Sequence, residues 1–110
     1  MKETITIDDF TKLDIRLGTI LEAQRVPETD KLIECTVDVG EEEPRTIVSG
    51  IAHVREAEDL VGKQLPYILN LAPRTIKGVE SNGMLLALGE GEEFALLHPD
   101  KEVPAGTSGK

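Results

Sequence analysis

The stretch PRTIKGVESNGM gathers side chains suited to meeting a polyanion: the cations Arg74 and Lys77, the hydroxyl of Ser81 and the thioether of Met84. A guanidinium offers phosphate oxygens a planar fork, and an ammonium offers a compact point charge. A serine hydroxyl can donate to or accept from a ribose hydroxyl or a base edge. Methionine is a soft apolar group that packs on a base or sugar. Each also has a plainer use. Exposed cations are usually just solvated, S-N-G is good turn chemistry, and Met84 opens an apolar run of the kind that fills cores.

Catalytic chemistry finds little support. Ser49 and His53 lie four apart in SGIAH, but no nucleophile elbow and no third triad member accompany them. Cys35, His53 and His98 lack metal-ligand spacing. GEGEE is glycine-rich but acidic, so it would repel a phosphate. No cofactor motif is present, and the chain reads as a binding module rather than an enzyme. Cys35, within the alternating run KLIECTVDV, reads as a small buried hydrophobe and cannot form an internal disulfide.

The formal net charge of −9 argues against nucleic-acid binding until its distribution is considered. Residues 1–43 hold five cations and twelve acids, residues 44–88 five and four, and residues 89–110 two and five. From Leu60 to Val79 there is no acid at all, while Lys63, Arg74 and Lys77 are present. The acids are kept away from one place.

The elements that must position these residues read as short strands between turns. IDDFTKLD offers Asp8 or Asp9 as the N-cap of a helical turn carrying Phe10 and Leu13. IRLGTILEAQRV alternates as a first strand, with Gly18 suggesting a bulge or bend. VPETD is turn chemistry. KLIECTVDVG alternates cleanly, with Glu34 and Asp38 on the outer face. RTIVSGIA is a third strand, REAEDLVG a short helix, and KQLPYILNL a fourth strand in which Pro66 suits an edge or a bulge. APRTIKGVESNG reads as a loop, MLLAL as a fifth strand and FALLH as a short final one. The expected fold is all-β: an OB-fold, a five-stranded Greek-key barrel with a short helix between strands three and four, forming a single domain over residues 1–110. Another small β-barrel, such as an SH3-like one, is the competing architecture. Ligand sites of OB-folds use the face of strands two and three and the loops 1–2 and 4–5. Here those loops are VPETDK, ending in Lys31, and the stretch around Arg74. Aromatic side chains are few. Tyr67 is the one weak candidate for base stacking, which argues against a general binder of single-stranded DNA.

DFTKLDIRLGTI, ETDKLIECTVDVG, RTIVSGIA, LVGKQLPYILNLAPRTIKGVESNGMLLAL and LLHPDKEVPAGT, in that order, resemble the tRNA-binding domain found at the end of methionyl-tRNA synthetases and in free-standing tRNA-binding proteins. The resemblance runs from about Asp9 to about Thr107. It implies an OB-fold that binds tRNA by shape, with no catalysis of its own, often as a homodimer built through its terminal segments. Such a domain assists a methionyl-tRNA synthetase in the same chain or in trans, in the cytoplasm. Residue by residue it implies Lys31, Asn70, Arg74 and Lys77 as basic and polar contacts, with Ser81 and Met84 as the serine and methionine of the family's S-x-x-M signature. The initiating methionine favours a free-standing chain. Relatives described as secretion chaperones supply the alternative, a dimer that binds unfolded peptide. The chain departs from the family in its acidity and in ending with TSGK, where others continue into a hydrophobic strand.

Overall fold

A computed structural model describes every residue from Met1 to Lys110. Helix α1 (Ile7–Phe10) precedes the long strand β1 (Ile15–Arg25), on which the rest of the fold is assembled. The N-cap of α1 is Thr6 rather than Asp8 or Asp9, and the Thr6 amide donates to the Asp9 carboxylate at 3.2 Å. The second half of β1 pairs antiparallel with β2 (Ile33–Asp38), which pairs in turn with β3 (Arg45–Ser49). The first half of β1 pairs with β4 (Gln64–Ile68).

β5 (Arg74–Ile76) and β6 (Val79–Ser81) make a separate hairpin. β7 (Met84–Leu85) returns to β4, giving a sheet of order β3-β2-β1-β4-β7. β3 runs back alongside β6 and β7, so the sheet nearly closes on itself. The all-β, five-stranded barrel expected from the sequence is the architecture observed.

The core confirms the alternation of β2. Ile33, Cys35 and Val37 point inward, against Ile20, Ile47, Leu65 and Tyr67, while Glu34, Thr36 and Asp38 are half-buried on the opposite face. Each large apolar side chain fully buried in this way contributes ~1.5–3 kcal/mol before entropic costs.

β1 departs from expectation. Its register slips between Ile20 and Glu22, leaving Leu21 as the extra, exposed residue of a bulge and turning Ala23 toward the core. Gly18 has another purpose: a Cβ there would lie 2.5 Å from Val37 Cγ1 and 3.0 Å from the Tyr67 ring, so its absence lets two core side chains close over the backbone.

One expectation is made more specific and two are corrected. The short helix expected between β3 and β4 is a 3-10 helix over Ala57–Asp59. Val54, Ala57 and Leu60 face the core at intervals of three, which is the period of that tighter turn. Pro66 is not on an edge, because β4 lies between β1 and β7. MLLAL is not one strand. The Leu86 amide donates to the Pro66 carbonyl at 3.0 Å, and β8 (Ala87–Leu88) then leaves to pair with β9 (Ala95–Leu96).

The C-terminal segment lies along β1, carrying on where β2 has ended. The Leu17 amide donates to Thr107 at 2.9 Å, Gly106 to Leu17 at 2.7 Å and Gly109 to Ile15 at 2.6 Å. The Gln64 side-chain amide acts as a surrogate strand for this tail. It donates to the Val103 carbonyl at 2.7 Å and accepts from the Val103 amide at 3.2 Å. Gly40 and Gly106 face each other across this contact. Their Cα atoms pass so close that a Cβ on Gly40 would meet the Ala105 oxygen at 2.8 Å, and its φ of +84° disfavours a side chain independently.

Candidate nucleic-acid interface

The segment expected to be a loop, residues 72–83, is largely the β5–β6 hairpin. Its two-residue tip is Lys77-Gly78, with φ of +50° and +82°, as the I′ turn demands. Lysine is an uncommon choice there, since asparagine and glycine accept positive φ more readily. The tip therefore carries a charge at some conformational cost. Arg74, at the other end of β5, is exposed, and neither cation is engaged in an ion pair. The hairpin has one acid, Glu80, opposite Thr75.

The sequence-named residues separate into two groups. Ser81, expected from the S-x-x-M signature as a contact, is 4% exposed. Its Oγ accepts from the Val48 amide at 2.9 Å and donates to the Gly83 carbonyl at 3.2 Å. It completes the barrel where β3 meets β6, replacing a ladder hydrogen bond with a side chain. Asn70 is engaged as well: its Nδ2 donates to the Lys12 carbonyl at 2.6 Å, and its Oδ1 accepts from the Asp14 amide at 2.8 Å. It fastens the segment before β1 to the exit of β4.

Met84, by contrast, is 43% exposed and not in the core. Lys31 is exposed, and the Ala52 amide donates to its backbone carbonyl at 2.8 Å, tying its loop to the segment after β3. Tyr67 is 1% exposed and unavailable for stacking.

Met84 and Arg74 border a groove of about 370 Å³ between the hairpin and the exit of β3. Leu32, which follows Lys31, lines it, together with Ser49, Ile51 and Ile76, and none of its lining residues is acidic. The outer face of β1 and β2 is different. There Glu22 and Glu34 border a depression that holds no cation.

Arg45 is a residue that sequence reasoning missed. Its guanidinium makes a two-pronged contact with the Glu41 carboxylate at 2.8 and 2.9 Å. It also donates to the carbonyls of Leu69 at 2.8 Å and Asn82 at 3.2 Å. These carbonyls flank the hairpin segment on both sides, so one side chain holds both stems. The hydrogen bond from Arg45 keeps the Glu41 carboxyl below its ordinary range near 4.5. Only the partners' placement in the fold reveals the clamp. Burial pushes the Cys35 thiol up to about 11, with Glu34 adding to the shift, which leaves it protonated and inert at neutral pH.

The family model described as "Putative tRNA binding domain" matches residues 15–108. The chain belongs to the tRNA-binding domain family. Among curated members it is 50% identical over 107 residues to the methionine–tRNA ligase of Methanococcoides burtonii, covering 96% of this chain and 16% of that protein. It is 50% identical over 111 residues to the ligase of Parabacteroides distasonis, covering 100% and 16%. The chain thus spans about one-sixth of the length of these relatives. Among solved structures of the family's fold, a MetRS related protein from Pyrococcus horikoshii superposes with a TM-score of 0.90 at 38% identity, covering 99% of this chain and 100% of that one. The chaperone CsaA of Bacillus anthracis superposes with a TM-score of 0.87 at 29% identity, covering 98% and 100%.

Proposed function

We propose that residues 1–110 form one tRNA-binding domain, an OB-type barrel without catalytic activity, that associates as a homodimer in the cytoplasm. On this reading it serves methionyl-tRNA synthetase as a trans module or beta subunit. The observation that carries it is the hairpin end: in a chain of net charge −9, Arg74 and Lys77 stand exposed and unpaired within a segment nearly free of acids. The family match and the synthetase relatives name the polyanion. Lys31, Arg74 and Lys77 meet phosphates and Met84 packs on the ligand, while Asn70 and Ser81 act by holding the surface in place. The homodimer is supported by the N-terminal arm, where Ile5 and Ile7 are 64% and 72% exposed. Pairing two weak sites raises avidity without a new contact.

The test is tRNA binding across a salt series. Affinity should fall as salt rises, and Arg74→Ala/Lys77→Ala should flatten the log–log slope by about two while leaving stability unchanged. Absence of tRNA binding at low salt would sink the reading. A second reading, capture of unfolded peptide, is favoured by the apolar lining of the groove and the likeness to CsaA. It predicts binding of apolar peptide that is indifferent to salt.

A further inference from the structure

We infer that the groove beside the hairpin receives one unstacked nucleotide, so that the domain reads an unpaired base as well as the shape of a backbone. The inference rests on the tRNA-binding reading and adds to it the kind of site within the RNA that is engaged.

Its chemistry comes from the lining. Ile51, Ile76 and Met84 give an apolar floor and rim, against which a base can lie without an aromatic partner. Arg74 stands at the edge, where a phosphate leaving the buried base would pass. Ser49 lines the groove, half-buried, and brings a hydroxyl to meet a base edge or a 2′-hydroxyl. A mostly apolar cleft with a few convergent polar groups is the usual form of a small-ligand site. At about 370 Å³ the groove sits near the lower end of that range, room for one flat ring system rather than a run of side chains.

Charge selects the occupant. The groove at Glu22 and Glu34 is bordered by carboxylates with no cation, and the one at Glu56 and Glu58 sets two carboxylates beside Arg25 and Arg55, whereas this one is bordered by a guanidinium and no acid. The acid-free slot under the C-terminal tail is about half as large, at about 180 Å³, and its one guanidinium, Arg16, is already paired with Asp14 at 2.8 Å.

Gly50 provides the test. It is exposed, lines the groove, lacks a positive φ, and has nothing within 4 Å of where a Cβ would stand. Gly50→Phe should therefore obstruct the groove without straining the fold, and Gly50→Ala should leave it open. With native tRNA, Gly50→Phe is expected to lower affinity about tenfold with an unchanged salt slope, since the phosphate contacts remain, while Gly50→Ala binds as the parent does.

Adenosine monophosphate should shift the NMR signals of Met84 and Ile76, and ribose 5-phosphate should not. Equal tRNA affinity for Gly50→Phe and the parent would overturn the inference and leave tRNA binding intact. So would displacement of an apolar peptide, but not of tRNA, by Gly50→Phe. Failure of the parent chain to bind tRNA at all would instead remove the reading beneath it.

Discussion

Two seams complete this barrel, and they are made differently. On one side the C-terminal tail joins β1 by backbone hydrogen bonds, with Gly40 and Gly106 in near contact and Gln64 standing in for a strand. On the other, β3 meets the hairpin largely through side chains: Ser81 accepts from Val48, and Arg45 reaches Leu69 and Asn82. The first seam depends on what is missing, two Cβ atoms. The second depends on what is present, one hydroxyl and one guanidinium, beside a backbone bond from the Asn82 amide to the Thr46 carbonyl at 2.9 Å. Backbone pairing is indifferent to most substitutions, whereas a side-chain seam hangs on a few residues, and here that seam supports the candidate interface.

The comparison can be broken from either side. Gly40→Ala should have the largest effect on stability, about 3 kcal/mol in urea denaturation, because it combines a left-handed backbone with contact against a carbonyl oxygen. Its tRNA affinity, measured where the protein remains folded, should be unchanged. If that affinity fell as far as for a hairpin variant, the two seams would not be separable.

Ser81→Ala comes next. It strands the Val48 amide in the interior at a cost of about 2 kcal/mol. Hydrogen exchange should quicken at Val48 and across the hairpin, and tRNA affinity should drop with the salt slope retained. A flattened slope would instead mark Ser81 as part of the phosphate-contacting set. The smallest effect sharpens the contrast by moving stability and affinity in opposite directions. Lys77→Asn relieves the positive φ and should stabilise by about 0.5 kcal/mol, while removing one cation and flattening the slope by about one.

What could be read from the chain follows the range of the interactions. β2 was legible because its alternation is a local pattern and one face of its sheet is buried. The lack of acids from Leu60 to Val79 shows in the charge pattern, and the family signature picks out Met84. The bulge at Leu21 was not legible: LGTILEA alternates equally well with or without a slip, and the slip is set by pairing to β2. The hairpin was missed because its tip is Lys-Gly, not the Asn-Gly that signals such turns. Ser81 was misplaced because its partner lies 33 residues away, and S-N-G explains itself locally as a turn. Arg45 escaped for the same reason, with partners 24 and 37 residues distant.

The uneven charge has a kinetic consequence. At low salt, where the Debye length reaches ~30 Å, a distant polyanion meets mainly the net −9, and only closer in does it meet the cations of the hairpin. On the proposed function, approach is uphill from every direction but least so with the hairpin leading, so repulsion aligns the molecule before attraction holds it. Modest salt would then quicken encounter while shortening the life of the complex, and the two rate constants would rise together.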